Sequence, residues 1–146
     1  MIRTLYTIGF TKKNLRTFVE LLRGAGVTKL VDVRLRNTSQ LAGFAKRDDL
    51  AFVLDLCNID YEHVPDLAPT DNLLDGYKQD KDWKRYAAAF RRLLRKRNPA
   101  AVVERIVNGH VSVCLLCTED KPDQCHRRLV AEYVQQHQPE IEIKHL

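Results

Sequence analysis

The stretch Val111-Ser112-Val113-Cys114-Leu115-Leu116-Cys117-Thr118-Glu119, which continues after Asp120 as Lys121-Pro122-Asp123-Gln124-Cys125-His126-Arg127, decides the fold. Its apolar first half is typical of a strand that is buried on both faces. Thiol, carboxylate, imidazole and guanidinium groups follow at once, and a helical apolar pattern then begins at Leu129 and Val130. A strand, a polar loop and a helix in this order are the usual surroundings of a site in an open α/β sheet.

The rest of the chain repeats this alternation of strand and helix. Short apolar runs predict strands at 5–8, 29–34, 61–64, 111–117 and 141–144. Helical spacing of apolar residues predicts helices after a Thr11 cap, from Asp48 or Asp49, from Asp82, over 100–107 up to Gly109, and over 124–137, whereas 66–76 is predicted as a loop with some helical turns. The pattern predicts an α/β fold with a mostly parallel sheet of about five strands and helices on both faces, a Rossmann-like three-layer arrangement.

Length and composition indicate one globular domain over residues 1–146. Hydrophobic residues make up 45% of the chain and charged residues 29%, as in ordinary proteins with one core. No apolar run approaches the roughly 20 residues of a membrane helix, and Met1 to Tyr6 lacks the apolar stretch of a signal peptide. The four cysteines are then expected as thiols, buried fillers or metal ligands. We expect a cytoplasmic protein without a membrane partner.

The net charge of +5 favours an anionic partner, either a small anionic ligand or nucleic acid. Lys84, Arg91, Arg92 and Arg95 form one stripe of the helix expected from Asp82. Such a stripe is either a solvated face or a track for phosphate groups, whose binding would weaken steeply with salt. No aromatic residues interleave with these basic residues, which argues against a dedicated single-strand platform.

Unusual polar groups follow several predicted strands, whose carboxyl ends meet at one edge of a parallel sheet. We therefore expect a site at this edge. Its candidate members are Thr7, Gly9 and Phe10 after the first strand, Asp32 and Arg34 at the second, His63 near the end of the third, Cys117 and Glu119 at the fourth, and Cys125, His126 and Arg127 at the start of the next helix.

Several candidates have a purely structural alternative. Asp32 is either a general base or the buried ion-pair partner of Arg34, Arg127 or Arg128. Gly9 either allows a tight turn or lets an anion approach the amides of the first helix.

Three side chains outside the thiol cluster also allow two interpretations. His63 is either hydrogen-bonded within the fold or an auxiliary proton carrier. Phe44 and Tyr77 lie on predicted loops, where they either stack on a base or close the edge of the core.

Three interpretations compete for the thiol cluster. In the first, Cys125 at a helix N-terminus is a nucleophile, since the helix field and Arg127 lower its pKa, with Cys117 as resolving partner and His126 as proton carrier. In the second, Cys117, Cys125 and His126 hold a metal ion, although adjacent residues of a helix point about 100° apart. In the third, both cysteines fill the core. A redox pair of Cys114 and Cys117 is excluded, because residues three apart on a strand face opposite sides.

The sequence also resembles a known family, the domain of unknown function DUF488. The resemblance runs nearly end to end and is most specific in the last motif, Leu116-Cys117-x-Glu119-x-x-Pro122-x-x-Cys125-His126-Arg127. The segments 41–44 and 67–70 resemble one branch of that family. The resemblance implies a small α/β domain and locates its site, but it implies no activity, cofactor or substrate. The other residues that carry the resemblance are Thr7, Ile8, Gly9 and Phe10; Asp32, Val33 and Arg34; Ser39 and Phe44; Tyr61, His63, Pro65 and Leu67; and Tyr77, Trp83 and Tyr86.

These observations favour an enzyme, a hydrolase or transferase that acts on an anionic substrate such as a nucleotide or a nucleic-acid fragment. The expected catalytic residues are Asp32, Glu119, Cys125, His126 and Cys117. A binding module without turnover and a Cys/His metal protein are the alternatives. The expected ligand-binding residues are Thr7, Gly9, Phe10, Arg34, Ser39, Phe44, His63, Tyr77 and Arg127.

Overall fold

The five strands of the sheet all run in the same direction. The computed structural model describes residues 2–108 and 112–146. The strands are β1 Thr4–Gly9, β2 Lys29–Asp32, β3 Asp60–His63, β4 Val113–Cys117 and β5 Glu142–His145. Their order across the sheet is β3-β2-β4-β1-β5, so the predicted buried strand β4 lies at the centre. All five residues of β4 are buried, which explains its unbroken apolar sequence.

Six helices connect the strands and cover both faces of the sheet. They are α1 Leu15–Gly24, α2 Arg47–Leu56, α3 Asp71–Asp80, α4 Trp83–Arg97, α5 Ala100–Asn108 and α6 His126–His137. Two core clusters separate the layers, since α1 and α2 pack against one face of the sheet and α4, α5 and α6 against the other. The predicted three-layer α/β fold is therefore confirmed. In the part of the chain that the structure describes, every helix is too short or too polar to traverse a lipid bilayer.

Successive side chains of β4 point alternately into the two cores, and this determines which thiols can meet. Cys114 belongs to the core under α1 and α2, whereas Cys117 belongs to the core under α4 to α6. The two side chains thus face opposite sides of the sheet, as the two-residue period of a strand requires.

Three local predictions need correction or fall outside the described residues. Asn14, not Thr11, caps α1, because the Asn14 side chain accepts a hydrogen bond from the amide of Thr17. Helix α3 occupies much of the predicted loop over 66–76 and extends beyond it; Thr70 supplies its cap through a bond from the amide of Leu73. Gly109 and Val111, the predicted end of α5 and start of β4, lie outside the described residues.

Candidate functional site

The strand register brings the predicted edge together. Gly9 pairs with Cys117, Asp32 pairs with both Leu116 and His63, and all of these pairs lie at the carboxyl ends of parallel strands. The loop over 118–125 leaves this edge and leads into α6. The predicted convergence at one rim of the sheet is therefore seen in the backbone itself.

A cavity of about 360 Å³ opens beside this rim. Cys117, Cys125 and His126 line its inner end, and Glu119 lies on its loop side. Its wall is aromatic: the ring centroids of Tyr77 and Trp83 are 5.8 Å apart, and those of Tyr77 and Tyr86 are 5.1 Å apart. The other lining residues are Leu74, Lys78, Thr118 and Gln124.

The side chains at the inner end of the cavity form a compact group. The sulfur atoms of Cys117 and Cys125 and one ring nitrogen of His126 all lie within 4.8 Å of one another, and all three residues are buried. The Nε2 of His126 is 2.6 Å from the carbonyl oxygen of Val33. A carbonyl can only accept, so Nε2 carries a hydrogen and donates it. The Nδ1 of His126, 3.3 Å from Cys117 Sγ, then shares a proton with this thiol.

Cys125 and His126 converge because Cys125 is not helical. Cys125 is the N-cap of α6, with an extended backbone at φ −133° and ψ 137°. The expected 100° divergence of neighbouring helical side chains does not apply to a cap residue. The side chains of Cys125 and His126 can therefore bind one ion together, and the expectation that they diverge is wrong. Both the thiol interpretation and the metal interpretation fit this group of side chains.

The two thiols have opposite pKa shifts, and the more acidic one is not the one expected from the sequence. Burial raises the pKa of Cys117, but the Cys125 thiol, the Thr118 amide and the charge of Arg127 outweigh burial and lower it overall. The pKa of Cys125 is raised, first by its hydrogen bond to Cys117 and then by burial and the Cys117 charge. Because the Cys117 sulfur is also the one that lies 3.3 Å from Nδ1 of His126, Cys117 is the better-placed nucleophile of the pair.

Burial also lowers the pKa of His126, although the nearby Cys125 and the Val33 carbonyl oppose this shift. The imidazole is therefore held in its neutral form and can accept a proton from a neighbouring thiol.

Asp32 and Arg34 lie outside the cavity as a fully formed ion pair. The Asp32 carboxylate accepts from Arg34 Nε at 2.9 Å and from Nη2 at 2.8 Å, a bidentate arrangement. It also accepts from the Arg34 amide at 3.1 Å, from the Tyr61 hydroxyl at 2.5 Å and from Asn37 at 3.2 Å. Burial raises the pKa of Asp32, but Arg34 and Tyr61 lower it overall. Asp32 is thus placed as the buried ion-pair partner of Arg34, which was its structural alternative to a general base.

Arg127 is the largest side chain that is completely buried. Its Nε donates to the hydroxyl of Thr7 at 3.2 Å, and its two terminal nitrogens donate to the backbone carbonyls of Glu119 and Asp120. The Thr7 hydroxyl is in turn 2.5 Å from Nδ1 of His145 on β5. Arg127 therefore fixes the loop over 118–125 to the sheet, and its N–H groups bind protein oxygens.

Gly9 allows a close approach of two backbone segments. A Cβ atom at this position would lie 1.6 Å from the carbonyl oxygen of Glu119 and 2.9 Å from Nη1 of Arg127. The loop that lines the cavity therefore packs directly on the end of β1. Neither a tight turn nor an anion explains this glycine; the carbonyl of Glu119 occupies the space.

The remaining predicted ligand-binding residues, apart from Tyr77, act within the fold. Phe44 packs on Phe18 with ring centroids 5.3 Å apart, and the Arg34 guanidinium lies 5.4 Å from the ring of Phe10. Ser39 accepts a hydrogen bond from the amide of Leu41, and His63 Nε2 is 2.7 Å from the carbonyl oxygen of Arg34. These four positions support the rim without lining the cavity.

Sequence reasoning missed much of the aromatic wall. The sequence alone assigns Trp83 and Tyr86 no place in the site, but both line the cavity, and Tyr86 also joins the buried stripe of α4. The signal available was the aromatic rather than aliphatic character of that stripe. Tyr77 lies on α3 and closes the other side with a hydrogen bond from its hydroxyl to Gln124 Oε1 at 3.1 Å.

The basic face of α4 is partly paired. Arg91 forms an ion pair with Glu132, and Arg85 forms one with Asp80. Such exposed pairs contribute little to stability. The remaining cations of this face lie away from the cavity described above, so the nucleic-acid track stays a separate prediction.

Comparison with known families finds one matching family model. The family model described as domain of unknown function DUF488 matches residues 14–134 of the chain. This range includes β2, β3, β4, most of α6 and every residue that lines the cavity. No curated protein and no solved structure matches the chain.

Proposed function

The chain belongs to the DUF488 family, and from this premise and the geometry of the site we propose that it is a thiol-dependent enzyme, a transferase or hydrolase with Cys117 as its nucleophile. The observation that carries the proposal is the convergence of Cys117, Cys125 and His126 at the inner end of an aromatic-walled cavity. Nucleophile and base within hydrogen-bond reach are the usual signature of covalent catalysis.

The proposed reaction begins with the transfer of the Cys117 proton to Nδ1 of His126, 3.3 Å away. The sulfur then attacks an electrophilic centre of the substrate, the bond to the leaving group breaks, and the leaving group takes the proton from His126. Water or a second acceptor displaces the group from sulfur and releases the thiolate. The exposed carboxylate of Glu119 lines the same cavity and can accept the proton of that water.

The proposed substrate joins a flat ring to an anionic group, as nucleotides do. The rings of Tyr77 and Trp83 lie at 68° to each other in the cavity wall, so a base can stack on the face of one ring and meet the other edge-on. Exposed Lys78 is the cation on the cavity rim. The four free thiols are typical of a reducing compartment, which favours the cytoplasm.

Alkylation kinetics test the nucleophile. We expect iodoacetamide to modify Cys117 at pH 7 faster than it modifies glutathione, because the pKa of Cys117 is lowered. Cys114, whose pKa burial raises, is the internal control and should stay unmodified in the folded protein. Peptide mapping by mass spectrometry identifies the labelled residue. Modification of Cys117 no faster than glutathione would contradict the covalent proposal.

The same assay tests the substrate class. Adenosine monophosphate should slow alkylation of Cys117 and shift the emission of Trp83, the single tryptophan of the chain, because both residues line one cavity. Lys78→Gln should weaken this protection, whereas Lys96→Gln, on α4 and outside the cavity, should leave it unchanged. Protection that is equal in both variants would remove the assigned role of Lys78.

A second candidate function is metal binding by the same three side chains. Cys117, Cys125 and His126 fit a Cys₂His set with a fourth position open to the cavity, as in catalytic zinc sites. The hydrogen bond from Nε2 of His126 to Val33 would orient Nδ1 toward the ion. We expect elemental analysis of the untagged protein to separate the candidates: zinc at one ion per chain, lost in Cys125→Ser, supports the metal protein, and its absence leaves the thiol enzyme.

A further inference from the structure

Two thiols lie at the inner end of the cavity, whereas nucleophilic catalysis needs only one. The sulfur atoms of Cys117 and Cys125 lie within 4.8 Å of each other, and both residues line the cavity. We propose that Cys117 and Cys125 form a peroxidatic and resolving pair, so that the site reduces a hydroperoxide and closes to a Cys117–Cys125 disulfide. This inference rests on the proposed nucleophilic role of Cys117 and names a further substrate class for the same site.

The backbone allows the two sulfur atoms to meet. Cys117 is the last residue of β4 and Cys125 is the cap of α6, so neither lies inside a helix. The loop between them is long enough to bring both residues to one side of the sheet, unlike Cys114 and Cys117. The sulfur atoms lie within 4.8 Å of each other, so they must approach by less than 3 Å to reach the bonding distance of about 2 Å.

The chemistry balances with a hydroperoxide as oxidant. His126 takes the proton of Cys117, the Cys117 thiolate attacks the terminal oxygen of the hydroperoxide, the O–O bond breaks, and the departing alkoxide takes that proton from His126 and leaves as an alcohol. Cys117 is now a sulfenic acid. The Cys125 sulfur attacks the Cys117 sulfur, its proton passes to His126, and the displaced hydroxide leaves as water after taking that proton. Two thiols are oxidised and one hydroperoxide is reduced; an external thiol restores the pair.

The geometry of the group sets the order of these steps. The Nδ1 of His126 lies 3.3 Å from Cys117 Sγ, so Cys117 is the thiol that this base deprotonates first. Cys125 lies within 4.8 Å of both groups and is therefore placed to attack Cys117 after it has been oxidised. The aromatic wall of Tyr77 and Trp83 suits a hydroperoxide with a flat ring.

The test uses the reduced full-length chain and one equivalent of cumene hydroperoxide. We expect the free-thiol count to fall from four to two and the intact mass to fall by two hydrogen atoms, with a peptide that links Cys117 to Cys125. Cys57→Ser is the matched control, since Cys57 lies on α2's C-cap away from the cavity. It should form the same disulfide at the same rate as the original chain.

Two variants separate the roles of the thiols. Cys125→Ser should gain one oxygen atom at Cys117 and react with dimedone, because the resolving thiol is missing. Cys117→Ser should consume the hydroperoxide no faster than free cysteine. Four free thiols after treatment of the reduced original chain would overturn the inference, as would equal oxidation of Cys117→Ser. Fast alkylation of Cys117 without disulfide formation would overturn only this inference and leave the proposed enzyme standing.

Discussion

Replacement of Gly9 by alanine is expected to destabilise the protein by about 3 kcal/mol or more, the upper end of the cost of overpacking a core. The added Cβ would lie 1.6 Å from the backbone oxygen of Glu119, and a backbone atom cannot rotate away as the end of a side chain can. The loop over 118–125 must then leave β1, which also breaks its bonds to Arg127. Urea unfolding followed by circular dichroism measures the effect.

Gly24→Ala is the matched control for this variant. Gly24 is the last residue of α1, and a Cβ there meets nothing within 4 Å. Alanine is favoured over glycine in a helix by roughly 0.5–1 kcal/mol, so this variant should be as stable as the original chain or slightly more stable. Gly9→Ala with an unchanged unfolding midpoint would show that the loop does not pack on β1.

Removal of the Asp32 carboxylate should have a comparably large effect. Asp32→Ala leaves the buried guanidinium of Arg34 without its counter-ion, and breaking a buried ion pair in this way costs about 3–5 kcal/mol. It also leaves the Tyr61 hydroxyl without its acceptor and removes one of the two acceptors of the Asn37 amide. The double variant Asp32→Ala/Arg34→Met should lose less than the sum of the single losses, since neither charge of this pair is then left buried without its partner. Additive losses in a urea-unfolding cycle would contradict the ion pair.

The pH dependence of this effect has a definite sign. The folded protein lowers the pKa of Asp32 below its ordinary value of 3.8, so the unfolded chain binds the proton more readily. The contribution to stability is therefore complete above the unfolded pKa and is lost as the pH falls through the folded pKa. The difference in unfolding free energy between the original chain and Asp32→Asn should shrink from about pH 6 to about pH 2. A difference in unfolding free energy that does not change with pH would show that packing, and not the charge of Asp32, provides the stabilisation.

The periodicity of apolar residues was sufficient to predict the three layers of this fold. The apolar run of β4, which is buried on both faces, and the helix expected from Asp82 are both where they were predicted. Helix α3 was missed because Asp71–Asp80 contains no buried residue. A helix that covers a cavity rather than a core leaves little apolar periodicity to detect.

The position of the candidate site at the edge of the sheet was predicted from the sequence, but the contacts of its side chains were not. Cys117, Glu119, Cys125 and His126 line one cavity, as their position after a central strand indicated. The partners of Arg34 and Arg127 could not be derived from spacing, because a guanidinium binds a carboxylate or a carbonyl as readily as a ligand. The choice of Cys117 over Cys125 as nucleophile depends on the 3.3 Å distance between its sulfur and Nδ1 of His126, which only the folded geometry defines.

Arg127 and α3 form two walls of the cavity that are held in different ways. The buried guanidinium of Arg127 binds the carbonyls of Glu119 and Asp120, which ties the loop wall to the interior of the sheet. The facing wall, α3, has no buried residue and is joined to that loop by the exposed hydrogen bond between Tyr77 and Gln124. We therefore expect a ligand that widens the cavity to displace α3 rather than the loop that Arg127 holds.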